Sequence, residues 1–328
     1  MNVLVCGGAG YIGSNMTAML AAEGHKPVVY DNLSKGHKAA ISKDVEFVKG
    51  DLADCELLIK TFKQYKIEAV MHFAAFIEVA ESVVLPLKYY QNNLCNTLSV
   101  IKAMEAGGVE KFVFSSTAAV YGIPKKVHIS EDFHNVPINP YGETKLASER
   151  LCHWQSQAGK LRYAALRYFN ASGAGFNSSL GEDHRPESHL IPLVIAAAMG
   201  KRDYIKIYGT DYDTPDGTCI RDYIHVEDLC RAHLLVLGRL DKHQELVYNL
   251  GNGKGYSVRQ VIDTVKKVSG KDFKVLENDR RPGDPAVLTS DASKVKNELG
   301  WHTKYHQLEK IVETAWLWHN KFPKGYPE

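Results

Sequence analysis

The chain has 328 residues, a formal net charge of +2 and an apolar share of 45%, enough to bury a sizeable core in one large domain or two. So even a charge gives no bulk attraction to nucleic acid or to a membrane surface, and no apolar run approaches the roughly 18 residues a membrane helix needs. The six cysteines (Cys6, Cys55, Cys95, Cys152, Cys219, Cys230) form no C-x-x-C pair and read as reduced thiols of a cytoplasmic protein.

The chain begins with MNVLVCGGAGYIG. Val3, Leu4 and Val5 are a short apolar run typical of a buried strand, so no signal peptide is expected before the fold. Gly7, Gly10 and Gly13 follow at three-residue spacing, and a helical pattern starts at once over 11–23. In a nucleotide-binding turn the first glycine permits the tight reversal, the second lets backbone approach a pyrophosphate, and the third packs helix on strand. The phosphates would rest on the helix N-terminus. A triplet alone also fits a merely structural turn. Here it is followed by Val28-Val29-Tyr30-Asp31, a second strand ending in an acid. An acid there suits a ribose 2′-hydroxyl and repels a 2′-phosphate, which favours NAD over NADP, with Lys35 moderating the preference.

Strand patterns over 3–5, 26–30, 45–48, 69–73, 111–115 and 161–167 alternate with helical ones over 11–23, 55–65, 86–106 and 141–158. Alternating βα units with continuous apolar strands predict an α/β fold, a doubly wound parallel sheet of Rossmann type. Ligands then bind beyond the carboxyl ends of the strands. The residues to watch are Asp31, Asp51, Leu52, Phe73, Ala74, Ala75, Ser115, Ser116, Thr117, Phe169 and Asn170.

The pattern changes after Asn170. A Gly- and Ser-rich loop over 171–186 precedes helices near 189–199, 226–237 and 257–268, a strand over 205–208, a turn over 211–217, a loop over 280–285 and two short closing helices. Residues 1–170 are expected to hold the dinucleotide. Residues 171–328 are expected to form a smaller mixed α/β substrate domain, interleaved with the first near the boundary and ending in a surface tail over 322–328. His225 reads as structural, and His128, His134 and His184 as solvated loop residues. No His or Cys cluster has ligand spacing, so no metal site is expected.

Tyr141 and Lys145 stand four apart on a helix and so share a face. The strand ending in Ser115-Ser116-Thr117 precedes them by a loop long enough to bring hydroxyl, phenol and ammonium together near a nicotinamide. A free tyrosine has a pKa of about 10. To act as a base near neutrality it must fall by roughly 3, or about 4 kcal/mol of differential stabilisation. Lys145 and a positive nicotinamide ring could both supply it.

Eleven stretches carry a more specific signal: GGAGYIGS, YDNLSKG, KGDLAD, HFAA, ESVVLPLKYYQNN, FSSTAAVYG, NPYGETKLASE, LRYFNASGA, DGTCIRDYIHVEDL, YNLGNGKGYSV and RRPGDPAVLTSDASK. Together they span nearly the whole chain, and through them it resembles the extended short-chain dehydrogenase/reductase family, most closely its UDP-glucose 4-epimerase branch. The resemblance implies reversible C4 epimerisation of UDP-glucose and UDP-galactose through a transient 4-keto sugar, in galactose metabolism, with NAD retained. It implies Tyr141 as base, Lys145 as its electrostatic partner and Thr117 as the hydroxyl residue. Gly7, Gly10, Tyr11, Ile12, Gly13, Asp31, Asn32, Asp51, Leu52, Phe73, Ala74, Ala75, Asn92 and Phe169 would line NAD. Asn170, Leu190, Arg221, Tyr223, Arg281 and Asp284 would line the UDP-hexose, the two arginines gripping its diphosphate. Tyr208 would stack on the uracil.

Ser188-His189-Leu190 replaces the Asn-Asn-Leu frequent in the family, leaving His189 as a variant pyrophosphate contact. Ala75 stands where glycine is common and Ile77 where lysine is common. Leu288 falls where residue size governs entry of 2-acetamido sugars and leaves that specificity open. A homodimer through the helices over 86–106 and 141–158 is implied as well. UDP-glucuronate and UDP-N-acetylhexosamine 4-epimerases are the neighbouring alternatives. A 4,6-dehydratase is disfavoured because Ala118-Ala119, not Asp-Glu, follows Thr117. An NAD-binding regulator with a silent site would have little use for Thr117, Tyr141, Lys145 and two arginines poised for a diphosphate.

Overall fold

The computed structural model describes residues 1–124, 126–281 and 283–327. The first half alternates strands and helices: β1 (Asn2–Cys6), α1 (Tyr11–Ala22), β2 (Lys26–Asp31), β3 (Glu46–Lys49), α2 (Cys55–Tyr65), β4 (Ala69–His72), α3 (Val79–Val84), α4 (Pro86–Tyr89), a π-helical turn (Tyr90–Cys95), α5 (Asn96–Gly107), β5 (Lys111–Thr117), α6 (Pro140–Gln157) and β6 (Arg162–Tyr168). The second half adds β7 (Asn170–Ser172), α7 (Gly175–Ser178), α8 (Leu190–Ala198), β8 (Tyr204–Tyr208), β9 (Ile220–His225), α9 (Val226–Arg239) and β10 (Glu245–Leu250). It closes with β11 (Gly255–Ser257), α10 (Val258–Ser269), β12 (Lys274–Asn278), β13 (Val287–Leu288), α11 (Ser293–Leu299) and α12 (Leu308–Lys321).

A seven-stranded parallel sheet of order β10-β6-β5-β4-β1-β2-β3 forms the core, the expected doubly wound Rossmann arrangement. Its strands are apolar on both faces because helices cover both. Val3 and Val5 enter the core under α1 and α9 with Met16, Leu20 and Val236. Leu4 and Cys6 enter the opposite core with Leu58, Phe62, Val100 and Met104 of α2 and α5. The strand order reverses between β1 and β4. The carboxyl ends of these two strands therefore splay into the crevice where such folds take ligands. β11, β9 and β13 form a second small sheet, with β7 on β9, and β12 pairs with β8. A third core of α8, α10 and α12 lies behind them.

Several expectations needed correction. The helix over 86–106 is broken: Pro86–Tyr89, a π-helical turn over Tyr90–Cys95, then Asn96–Gly107. The sheet draws its seventh strand, β10, from beyond residue 170, where it pairs in parallel with β6. The segment over 322–328 is not a surface tail at its described end. Tyr326 is buried, packs on Trp318 and Phe322, and exchanges hydrogen bonds with the Gly181 backbone. His184 is not solvated but lies against Glu182 and Glu187. His128 and His134 are exposed, as expected, and His225 is buried as the cap of α9, its Nδ1 accepting from the Glu227 N–H.

Candidate active site

The glycine turn sits at the crevice. Gly7 has φ +78°, and its N–H donates to the Tyr30 carbonyl at 2.9 Å. A Cβ on Gly7 would meet the Ala74 nitrogen at 2.6 Å, and one on Gly13 would collide with the Gly7 carbonyl. At Gly10 the only neighbour of an added Cβ is the Gly7 carbonyl oxygen, at 3.4 Å. Thus Gly7 and Gly13 are needed for packing, whereas Gly10 faces open space. α1 starts at Tyr11 with no side-chain cap, so its first-turn N–H groups suit an anion, and the cradle fits a dinucleotide pyrophosphate. Tyr11 is anchored by its hydroxyl, which donates to the Gly173 carbonyl at 2.7 Å, and Ile12 is half-buried beside it.

Asp31 closes β2. Its carboxylate accepts from the N–H of Ala9 at 3.0 Å and of Leu33 at 2.8 Å, while burial raises its pKa above the usual value. Asn32 reaches across to Asp51, its Nδ2 donating at 2.8 Å, and Leu52 is buried beneath. Phe73 and Ala74 continue from β4, both N–H groups donating to the Cys6 carbonyl, and Ala75 follows half-buried. Asn92 lies in the π-helical turn, where its Nδ2 donates to Asn93 at 2.9 Å. Asn93 was not singled out from the sequence. Buried, it accepts from the Phe76 N–H at 2.9 Å and donates to the Phe76 carbonyl at 3.0 Å. The signal was the QNN tripeptide, whose π turn is of the kind that clusters at functional sites.

Thr117 ends β5 and Tyr141 opens α6. The start of α6 is fixed by Asn139, which accepts the Gly142 N–H at 2.9 Å, and by Pro140 in the first turn. Thr117 accepts the Ala119 N–H at 3.1 Å and acts on the neighbouring Tyr141 phenol, pulling its pKa down against the larger effect of burial. Lys145, one turn along, donates its Nζ to the Ser115 carbonyl at 2.7 Å and lies 4.9 Å from the centre of the Phe114 ring. Hydroxyl, phenol and ammonium are thus gathered at the carboxyl end of β5. Burial raises the Tyr141 phenol, opposed by Thr117, and burial pulls Lys145 down to about 7, opposed by Glu149. Protein groups alone therefore keep the Tyr141 phenol neutral and weaken the Lys145 ammonium without abolishing it at neutral pH. The lowering expected of Tyr141 requires a further positive charge in the crevice, which a cationic ring held over the sheet end supplies.

Beneath this trio runs a buried network that sequence reasoning left without a role, although its members stand in the quoted stretches. Arg167 of β6 forks onto Glu149 of α6, Nε to Oε1 at 3.0 Å and Nη2 to Oε2 at 2.6 Å. Its Nη1 donates to the Tyr121 hydroxyl at 2.8 Å, which donates to Asn249 of β10 at 2.7 Å. Ser116 donates to Glu149 as well. β5, β6, β10 and α6 are tied together one residue below Thr117.

The residues expected around the sugar nucleotide come from the second half. Asn170 donates to the Asp222 carbonyl at 2.8 Å, and β7 pairs it with Tyr223, which is buried. Phe169 and Leu288 share one apolar cluster with Phe133. Arg221 pairs with Asp284 at 2.7 Å, so two of the expected contacts engage each other. Arg281 lies 4.0 Å from the centre of the Tyr208 ring, on a face expected to stack a base. Leu190 is half-buried at the start of α8. The Nδ1 of His189, the residue before it, is engaged by Glu182 at 2.8 Å and Glu187 at 3.1 Å. Asp222 was missed from sequence. Fully buried, it accepts from the N–H groups of Asn252, Gly253 and Ser290 and from the Ser290 hydroxyl, and so fixes β9 to both neighbouring loops.

The family described as NAD dependent epimerase/dehydratase family matches residues 3–251. The UDP-glucose 4-epimerase of Halalkalibacterium halodurans is 50% identical over 327 residues, 99% of this chain and 98% of that protein. The crystal structure of the Brucella ovis UDP-glucose 4-epimerase in complex with NAD superposes with a TM-score of 0.94 at 47% identity, covering 96% of this chain and 97% of that one. The Bifidobacterium longum enzyme of the same name, in complex with NAD+ and UDP, does so with a TM-score of 0.94 at 38% identity, covering 99% and 100%.

Proposed function

The chain belongs to the NAD dependent epimerase/dehydratase family, and we propose that it interconverts UDP-glucose and UDP-galactose by inverting C4 of the hexose, with Tyr141 as the acid–base group. It is an NAD-dependent epimerase of UDP-sugars, like the relatives it matches along its whole length. Gly7 through Gly13, Asp31, Asn32, Asp51, Leu52, Phe73, Ala74, Ala75, Asn92 and Phe169 would hold the cofactor around the crevice. When bound, NAD takes a hydride from the sugar C4 and returns it to the opposite face.

Tyr141, as phenolate, takes the proton of the 4-hydroxyl and later gives it back. Thr117 holds that hydroxyl in line, and the Lys145 ammonium favours the ionised phenol. The convergence of Thr117 at the end of β5 with Tyr141 and Lys145 on α6, the Lys145 Nζ anchored on the Ser115 carbonyl at 2.7 Å, is the observation that supports this reading. The 4-keto sugar turns over between the two transfers. The second half must therefore grip UDP and leave the hexose free, a role assigned to Asn170, Leu190, Tyr208, Arg221, Tyr223, Arg281 and Asp284, while His189 is turned onto Glu182 and Glu187 instead. Loading would part the Arg221–Asp284 pair or recruit it whole onto diphosphate and ribose.

The reading includes a cytoplasmic homodimer through α4–α5 and α6. Leu87 is 83% exposed and Trp154 69% exposed, large apolar surface for helices in water. The six cysteines are all unpaired. Among the described residues no helix is long and apolar enough to cross a membrane.

The test is incubation of the purified protein, without added NAD, with UDP-galactose and separately with UDP-N-acetylgalactosamine, following the C4 epimers by NMR. Conversion of the first is expected. Conversion of the second would show that Leu288 admits an acetamido group. Tyr141→Phe should lower turnover about 10³-fold with UDP affinity intact. Equal loss of both, or no conversion by the wild type even with NAD supplied, would overturn the reading.

A further inference from the structure

The loop entering α8 carries Glu182, His184, Glu187 and His189, a spacing that the reaction does not use. Each offers one ligand atom, and these atoms lie within 4.8 Å of one another. The His–Glu separations are 2.8 Å (His189 Nδ1 to Glu182 Oε1), 3.1 Å (His189 Nδ1 to Glu187 Oε1), 3.2 Å (His184 Nδ1 to Glu182 Oε1) and 3.7 Å (His184 Nδ1 to Glu187 Oε2). With one oxygen taken from each carboxylate, the two distances to Glu182 Oε1 and either one to Glu187 lie near the edge of roughly 3.3 Å expected for a tetrahedron with zinc–ligand arms near 2.05 Å.

Such separations also occur in ordinary ion pairs, so the orientation of the groups decides. His184 Nδ1 is wholly buried and makes no hydrogen bond, although a carboxylate oxygen stands 3.2 Å away. A protonated ring in an ion pair would aim its N–H at that oxygen. This Nδ1 instead sits buried 3.2 Å from Glu182 Oε1 and 3.7 Å from Glu187 Oε2 without a hydrogen bond to either, a setting that suits a metal ligand. Glu187 is oriented for the same centre. Its Oε1 accepts the N–H groups of Ser188 and His189, both at 2.8 Å, which leaves Oε2 on the side of His184. Hydrogen bonds of this kind orient metal-binding carboxylates.

We propose that Glu182, His184, Glu187 and His189 bind one divalent cation of the zinc class, as a closed structural site. Two imidazoles and two carboxylates form a mixed nitrogen–oxygen set suited to zinc rather than to magnesium or calcium, which take oxygen ligands. Four protein ligands leave no open position for substrate, so the ion fixes the loop rather than performing chemistry. It would clamp residues 182–189 immediately before Leu190, where α8 starts, and beside Tyr11, whose ring meets His184 edge-on at 6.4 Å. The loop signature E-x-H-x-x-E-x-H, read simply as spacing, was the signal available in the sequence.

The test uses tag-free full-length protein purified from zinc-supplemented medium and assayed for metal, then stripped and titrated with zinc and with cobalt. About one zinc per chain is expected, together with a rise in melting temperature on zinc addition and the intense visible bands of four-coordinate cobalt without thiolate charge transfer. His184→Gln should cut the metal content at least tenfold while the circular dichroism spectrum is retained. Should that variant not fold, Glu187→Gln and the cobalt spectrum of the wild type decide. Metal content below a tenth of an ion per chain with no thermal response would overturn the site. So would a thiolate cobalt spectrum, or zinc retained unchanged by a folded ligand variant.

Discussion

Tyr141 and Arg167 stand a few residues apart in space yet fail in different ways when replaced. Tyr141→Phe removes one hydroxyl from a pocket built by others, so turnover should collapse while the melting temperature stays near that of the wild type. Arg167 neutralises Glu149 where both are almost fully buried. Arg167→Met leaves a carboxylate without its partner and should cost about 3–5 kcal/mol of stability, read as a lower urea midpoint. An unchanged midpoint would mean that the network under Thr117 contributes nothing to the fold. The Thr117, Tyr141 and Lys145 trio was legible in the sequence because helical spacing and a strand end suffice to locate it. The Glu149–Arg167–Tyr121 network was not, because its members are 18 and 46 residues apart and meet only once the sheet has formed.

The element that separates packing from binding most cleanly is the turn between β1 and α1. At Gly13 an added methyl would overlap the Gly7 carbonyl, and at Gly10 it would enter open space with φ at −80°, where alanine is at ease. Gly13→Ala should therefore unfold or strongly destabilise the chain. Gly10→Ala should keep the wild-type melting curve once NAD is removed, yet retain NAD at least tenfold less well, a loss of about 1.4 kcal/mol or more. Cofactor content by absorbance after gel filtration, set beside calorimetry, reads both. If Gly10→Ala holds NAD as well as wild type, the pyrophosphate does not lie over that glycine. The strands of the first half were legible because each is apolar on both faces. β10 was missed because its apolar run Leu246-Val247-Tyr248 is short and lies beyond the alternating βα units, and it becomes a strand of the main sheet only where β6 is there to receive it.

For the whole molecule, three buried histidines weaken the fold in acid. Burial pulls His72 and His225 down to about 3 and His233 to about 4, from the ordinary 6.5. Between those values and 6.5 the unfolded chain binds protons that the folded chain refuses. These three groups should therefore cost stability as pH drops below 6.5, about 1 kcal/mol each at pH 5.5, against a gain from His184 and His189, which Glu182 and Glu187 hold charged. Denaturation at pH 7.5 and 5.5 measures the loss. His225→Asn, which keeps an acceptor for the Glu227 N–H, should lessen the acid loss by about 1 kcal/mol relative to the wild type, and the same pH dependence in both proteins would contradict the account. Association belongs to the same scale. If α4 and α6 carry the dimer, Leu87→Glu with Trp154→Glu should shift sedimentation from dimer to monomer, and a monomeric wild type would refute that interface.

By itself the sequence determined the doubly wound fold, the glycine turn between β1 and α1, the acid that ends β2 and the placement of Thr117 at the end of β5 and of Tyr141 and Lys145 one turn apart on α6. All of these follow from local periodicity and from residue types at fixed spacing. Only the tertiary structure decided that Arg221 meets Asp284, that Arg281 covers Tyr208 and that Tyr326 is buried against Trp318. It also decided that His184 and His189 converge on Glu182 and Glu187. The first two depend on which surfaces the folded chain brings together, and a pairing across 63 residues has no local energetic signature from which it could be read.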